Sequence, residues 1–156
     1  MSEDSIKQDQ PAKDNSAGQS QTSEQPQLDN QQQISQQSGP RILIVEDEKD
    51  YGDVLEERLQ AEGFTVFKVE NGQLALNFMK NTDVDLILLD MLMPQMDGAT
   101  FFYHLKNTLK KDIPVIILTN FTEMAYPEKA ADFVVKANTS LDEVVDKIKK
   151  NLPVKQ

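Results

Sequence analysis

Asp90 closes an apolar run, Leu86, Ile87, Leu88 and Leu89, and is followed by Met91, Leu92, Met93, Pro94, Gln95, Met96, Asp97 and Gly98. A carboxylate placed directly after a buried-strand pattern leaves the sheet at its carboxyl edge, where open α/β sheets bind ligands. Three other short apolar runs end in the same manner. Ile42 to Val45 is followed by Glu46 and Asp47, Val115 to Leu118 by Thr119, and Phe133 to Val135 by Lys136. Four strands therefore deliver three acids, a hydroxyl and a lysine to one edge. For Asp90 to attack phosphorus, charge on the transferring group must be neutralised, and phosphoryl transfer draws its catalysis mainly from positioning and from a metal and a cation. Mg²⁺ takes oxygen ligands, keeps several waters and is satisfied by one or two carboxylates plus phosphate oxygens. Glu46, Asp47 and Asp90 can supply those carboxylates. Lys136 can pair with phosphoryl oxygens as a point charge, and Thr119 can donate to one of them. Crowded acids repel one another, so such a pocket favours a cation.

The elements that must position these residues alternate. Strands are expected at 41–45, 65–69, 86–89, 114–118 and 133–135. Helices are expected at 49–62, with Tyr51, Val54, Leu55 and Leu59 on one face and Gly63 ending it, and at 72–80, with Leu74, Ala75, Phe78 and Met79 inward. A third helix is expected at 99–109, carrying Phe101, Phe102, Leu105 and Leu109, and a last one at 140–152. Ser140 and Glu143 form a capping box ahead of Leu141, Val144, Val145 and Ile148. Strand–helix alternation implies right-handed crossovers and a doubly wound parallel sheet with helices on both faces, an α/β fold. Residues 120–132 break the rhythm, with one Pro and no apolar stripe, and leave room for one or two helical turns.

Composition sets further bounds. The 156 residues carry a formal net charge of -10 and no Cys. One ordinary domain is expected. The acidity argues against nonspecific nucleic-acid binding, which needs a basic face, and against docking on an anionic membrane. Without Cys there is no disulfide framework, thiol nucleophile or Cys-based metal site. No signal peptide or membrane span is visible, and a cytoplasmic location is expected. Residues 1–40 are rich in Gln, Ser and Asp, with Ile6, Leu28 and Ile34 as their large aliphatic residues. Such a stretch cannot bury enough surface to offset its conformational entropy and reads as a disordered, solubilising tail. Ser38, Gly39 and Pro40 mark the boundary, which leaves 41–156 as the domain.

Taken in order, Glu46 and Asp47, Asp90 with Pro94 and Gly98 behind it, Thr119 and Lys136 make the chain resemble a receiver domain of the two-component response regulators. The likeness runs from Arg41 to about Leu152. It implies a flavodoxin-like five-stranded parallel sheet of order 2-1-3-4-5. It implies that Asp90 accepts a phosphoryl group from a phosphohistidine on a sensor histidine kinase or phosphotransfer protein. Asp47 and Asp90 would ligate Mg²⁺ directly, Glu46 mainly through water, and the Leu92 backbone carbonyl would complete the protein ligands. Thr119 and Phe133 would act as the switch pair, with Phe133 facing the core in at least one state. Phosphorylation would then alter the surface around 120–132, the last strand and the last helix.

The chain departs from the family pattern in places. Glu46 stands where Asp is usual, Ala137 follows Lys136 in place of Pro, and Asn120 follows Thr119 where relatives carry a small residue. The interval from Thr119 to Lys136 is short by about one helical turn, so the family's fourth helix is expected to be shortened or lost. The resulting expectation is a stand-alone phosphoacceptor, monomeric or dimerising on phosphorylation, that signals through protein contacts and is not an enzyme in its own right. The alternative is a receiver-shaped scaffold that binds partners without phosphorylation. A haloacid dehalogenase-like phosphatase would need a second acid two residues after the nucleophile, and that position is Leu92. His104, the only His, reads as a surface residue. Met91, Met93 and Met96 read as loop and core packing, not as a soft-metal site.

Overall fold

A computed structural model describes residues 39–122 and 127–154. The expected tail, residues 1–38 for the most part, lies outside the described residues, as do 123–126. Five parallel strands form one sheet in the order β2-β1-β3-β4-β5, the order expected. They are β1 Arg41–Val45, β2 Thr65–Val69, β3 Leu86–Asp90, β4 Val115–Thr119 and β5 Asp132–Val135. The helices are α1 Lys49–Ala61, α2 Gly72–Phe78, α3 Gly98–Tyr103 and α4 Leu141–Asn151, and α3 runs on as a π-helical segment, His104–Thr108.

The apolar strands are apolar on both faces because helices cover both faces. Successive residues of β1 go to opposite sides. Ile42 and Ile44 pack with Leu55 and Leu59 of α1 and with Val144, Val145 and Ile148 of α4. Leu43 and Val45 pack with Ala75 and Met79 near α2 and with Phe101, Phe102 and Leu105 of the third helical stretch. All five residues of β3 and of β4 are buried. Two helix faces are narrower than expected: Val54 and Leu74 point outward, at 47% and 45% exposure. Leu55 and Leu59 are enough to anchor α1, and Ala75 and Met79 enough to anchor α2, so the apolar residues beside them fall on the rim of each stripe.

The ends of the helices follow local chemistry. Gly63 follows α1 at φ +87°, a left-handed position that costs a residue with a Cβ more than glycine. The Ser140–Glu143 capping box is present in both directions. Between β4 and β5 the described residues contain a turn, with the Ala130 N–H donating to the Pro127 carbonyl at 2.8 Å, and no helix. Among the described residues of the shortened interval, a turn at Pro127–Ala130 leads into β5.

Gly98 is needed for space. A Cβ there would overlap the Asp90 carbonyl oxygen and lie 2.8 Å from Met91 Cα. That closeness lets the start of α3 pack onto the end of β3, with the Gly98 N–H donating to the Met91 carbonyl at 3.2 Å. Gly98→Ala is therefore expected to cost about 1–3 kcal/mol through overpacking, more than Gly63→Ala, which meets nothing within 4 Å and costs about 1 kcal/mol in backbone conformation. Urea unfolding of the two variants side by side checks this order; equal losses would mean that α3 can shift away from β3 without penalty.

Candidate functional site

Four strand ends and their following loops build the site at the carboxyl edge of the sheet. The Glu46 N–H donates to the Val69 carbonyl at 3.0 Å, which carries β1's pairing one residue beyond the strand. Glu46 is thereby turned inward and is 2% exposed. Its Oε1 accepts from the Glu48 N–H at 3.1 Å, and its Oε2 lies 2.6 Å from the Lys136 ammonium. Asp90 is 5% exposed. Its Oδ1 accepts from the Leu92 N–H at 2.9 Å and its Oδ2 from Lys136 Nζ at 2.8 Å. Lys136 holds its place because its own N–H donates to the Thr119 carbonyl at 2.8 Å, tying the end of β5 to the end of β4. It reaches both acids with Ala137, not Pro, behind it.

The loop after Asp90 is fixed from the other side. Asn71 caps α2 by accepting from the Leu74 N–H at 2.9 Å, and its Nδ2 donates to the Gln95 side chain at 3.2 Å. Gln95 adopts φ 67° there, and the Gly72 N–H donates to the Met96 carbonyl at 3.2 Å. Asp97 caps α3 by accepting from the Thr100 N–H at 2.7 Å, a bond that holds its carboxyl below the usual range. Met91 and Met93 are buried, and Met96 packs against the same core cluster, so the three methionines serve packing.

The acids are crowded. Glu46, Asp47 and Asp90 each offer a carboxylate oxygen, and these oxygens lie within 4.8 Å of one another. Asp47 is exposed at the mouth, while the other two are buried. Burial pushes the Glu46 carboxyl up to about 7; the hydrogen bond from Lys136 opposes the rise and the charge of Asp90 adds to it. Burial by itself would lower Lys136, but its hydrogen bonds to Asp90 and Glu46 outweigh that and raise it. One ammonium thus faces three carboxylates. The residual negative charge and the hard all-oxygen donors fit Mg²⁺ or a similar hard dication.

Thr119 is 2% exposed, and its Oγ1 accepts from the Phe121 N–H at 3.1 Å. Phe133 is turned outward, 45% exposed, with the Lys147 ammonium 5.6 Å from its ring centroid. It does not face the core in this conformation. Leu92 and Phe121, two residues beyond Asp90 and Thr119, are exposed apolar side chains next to the site. Tyr51, placed by helical phase on the core-facing side of α1, also joins the site: its ring centroid lies 5.0 Å from the Lys136 ammonium. A second addition is Glu48, whose Oε2 is 4.0 Å from that ammonium. The signal for Tyr51 was helical phase, since the first turn of α1 starts three residues after Glu46 and faces back toward the same edge.

A parallel sheet of order 2-1-3-4-5 with two acids after β1, an Asp ending β3, a Thr ending β4 and a Lys following β5 defines a class, and the sequence profile agrees. The response regulator receiver domain profile matches residues 42–149, and the chain belongs to that family. Sporulation initiation phosphotransferase F of Bacillus subtilis is 33% identical over 119 residues, covering 74% of this chain and 95% of that protein. The transcriptional regulatory protein YrkP of Bacillus subtilis is 38% identical over 79 residues, covering 51% of this chain and 33% of that protein. The chain thus spans about a third of that regulator's length. Among solved structures, the response regulator TrrA of Thermotoga maritima in complex with Mg(2+)-BeF is 34% identical, with a TM-score of 0.66, covering 72% of this chain and 99% of that one. Among the described residues, no helix is long and apolar enough to cross a membrane.

Proposed function

We propose that this chain is a phosphoacceptor of two-component signalling, with Asp90 taking a phosphoryl group from a phosphohistidine on a sensor histidine kinase or phosphotransfer protein in the cytoplasm. The observation that carries this reading is the Lys136 ammonium, 2.8 Å from Asp90 Oδ2 and 2.6 Å from Glu46 Oε2. A buried cation held against the candidate nucleophile is poised to meet the oxygens of an incoming phosphoryl group. Asp47 and Asp90, with Glu46 through water and the Leu92 carbonyl, would hold Mg²⁺. When bound, the metal would offset charge on the transferring group. In the step itself an Asp90 carboxylate oxygen bonds to phosphorus as the bond from phosphorus to the donor's imidazole nitrogen breaks. Thr119 would donate its hydroxyl to a phosphoryl oxygen, which a hydroxyl can do while still accepting from the Phe121 N–H. Phe133, outward here, would follow as the switch aromatic. Residues 41–156 would be the receiver and residues 1–40 a polar tail.

The test is phosphoryl incorporation from acetyl phosphate with Mg²⁺. Label on the native chain, absent from Asp90→Asn and lost on chelation, is the expected result. No label on a folded native chain would favour the second reading, a phosphorylation-independent scaffold. That reading draws on the turn Pro127–Ala130 in the β4–β5 connection, where the family's fourth helix is expected to be shortened or lost.

Leu92 and Phe121 support a kinetic expectation. Both are about half exposed beside Asp90 and Thr119, and both backbone N–H groups are tied to those residues. Apolar side chains there would shed the water needed for hydrolysis of the acyl phosphate. The phosphoryl group is expected to outlast that on a Leu92→Asn, Phe121→Glu variant by about tenfold, the low end of the range for positioned proton-transfer groups being higher still. Equal lifetimes in a pulse–chase would remove any role for the two side chains.

A further inference from the structure

We infer that the outer face of α3 and its π-helical extension is a docking groove for an acidic amphipathic helix of another protein. The groove has a volume of about 340 Å³ and lies between α3 and the turn that leads into β5. Its apolar wall is Ala99, Phe102 and Tyr103, at the spacing of one helical stripe that continues to Lys106 and Asn107. Tyr103 is 62% exposed, a large aromatic at the lip of a groove, which is the composition of an interface anchor and not of an ordinary surface.

Two features say what would lie there. The first is shape. The β4–β5 connection is where this alternating fold calls for a helix beside α3, and its described residues form a turn, Pro127 to Ala130. A ridge of about three turns, Ala99 to Lys106 and beyond, thus meets a groove where a helix of this chain would otherwise pack. Ala99 lets a foreign helix approach closely. The π-helical stretch His104–Thr108 widens the ridge at its far end, and such irregularities recur at functional positions.

The second feature is charge. A neighbouring cavity of about 320 Å³ is lined by Lys106, Lys110, Lys111, Lys129 and Asp112, and it shares Lys106 and Lys129 with the apolar groove. Four lysines stand against Asp112, Glu128 and Asp83. Lys111 is paired with Asp83 at 2.9 Å and Lys106 with Asp112 at 3.6 Å, so the uncompensated positive charge of this face, on a chain whose net charge is -10, comes from Lys110 and Lys129. The two paired lysines are fixed by the fold: Lys106 Nζ donates to the Ile113 carbonyl at 2.8 Å and Lys111 Nζ to the Met79 carbonyl at 3.2 Å. Lys110 and Lys129 are exposed. An apolar strip edged by lysines complements a helix with apolar residues at i, i+3 and i+7 flanked by Asp or Glu. The groove lies outside the acid cluster, so the inference stands whether or not Asp90 is phosphorylated.

The probe is a synthetic 14-residue helical peptide with a Leu, Phe, Leu stripe and four Glu, titrated into the isotope-labelled full chain and followed by amide resonances. Shifts centred on Ala99, Tyr103, Asn107 and Lys129 are expected. Binding should weaken at least tenfold for a Lys110→Glu, Lys129→Glu chain, for Tyr103→Ala, and for a peptide with Lys in place of Glu. Lys110, Lys129 and Tyr103 are exposed, so these variants keep the native spectrum elsewhere. Equal binding of the charge-reversed peptide, shifts centred elsewhere, or no shifts at millimolar peptide would overturn the proposal. So would inorganic phosphate reproducing the same shifts, which would mean an anion site only. Dilution of the protein alone reproducing them would mean that a second copy is the occupant, and would overturn it equally.

Discussion

Lys136→Met is expected to lower phosphoryl incorporation at saturating Mg²⁺ by about 10²–10³-fold, the usual loss when one preorganised charge stabiliser is removed. Its side chain is 6% exposed and lies within 2.8 Å of two buried carboxylates. Methionine keeps most of the volume and removes the charge. Glu46 and Asp90 would then face each other without a cation, and breaking a buried pair from one side costs about 3–5 kcal/mol. In the metal-free protein that loss should be near its full size at pH 8. With Mg²⁺ it should shrink, because the dication replaces the missing ammonium, and Mg²⁺ affinity should rise. Denaturant unfolding with and without Mg²⁺, run beside the phosphorylation assay, separates the two effects. Incorporation within about threefold of native in a folded Lys136→Met chain would show that the ammonium does not face the transferring group.

The second large effect is on pH dependence. The Glu46 carboxyl, 4.5 in an exposed setting, is pushed up to about 7 in the folded chain by burial. An acid raised on folding binds more protons in the native state between those values, so stability falls as pH rises from 4.5 through 7. The whole effect is about 3 kcal/mol, of which about 2 kcal/mol falls between pH 5.5 and 8. The other shifted groups act outside that window. Asp53, Glu62, Asp83, Asp97 and Asp132 are lowered by their partners. What they contribute is present above their ordinary values and is lost only at more acid pH. Lys136 is raised above 10.5, and its contribution is lost only in strong alkali. Metal-free protein should therefore unfold at lower denaturant concentration at pH 8 than at pH 5.5. Added Mg²⁺ should restore stability most at pH 8, where it competes with no proton, and Glu46→Gln should flatten the profile. A native profile that is level or rises from pH 5.5 to 8 would mean that Glu46 is already ionised against Lys136.

Much of the fold is written in local pattern. Four of the five strands are short apolar runs that end in a polar residue, and the helices between them carry the caps and stops that bound them, as Gly63 and the Ser140–Glu143 box illustrate. Because β-strands of an α/β sheet run parallel, every residue that follows a run arrives at the same edge. The convergence of Glu46, Asp47, Asp90, Thr119 and Lys136 is thus a consequence of chain order and alternation, and their residue types suffice to suggest a metal and a phosphoryl group. The shortened interval before Lys136 is likewise visible as a residue count.

What only the tertiary structure decided depends on distances between residues far apart in the chain. Lys136 touches both Glu46 and Asp90, 90 and 46 residues away, because the Thr119 carbonyl fixes its backbone. Glu46 is raised because the fold removes it from water, which its sequence neighbours do not dictate. Tyr51 joins the site because α1 begins so soon after β1 that its first turn faces the edge as well as the core. Val54 and Leu74 are left outside because the width of an apolar stripe is set by the neighbour that covers it, not by the helix that carries it. The groove along α3 is a tertiary feature for the same reason: Ala99, Phe102 and Tyr103 form its wall, and the turn residues Pro127, Glu128 and Lys129 that face them are far away in the sequence.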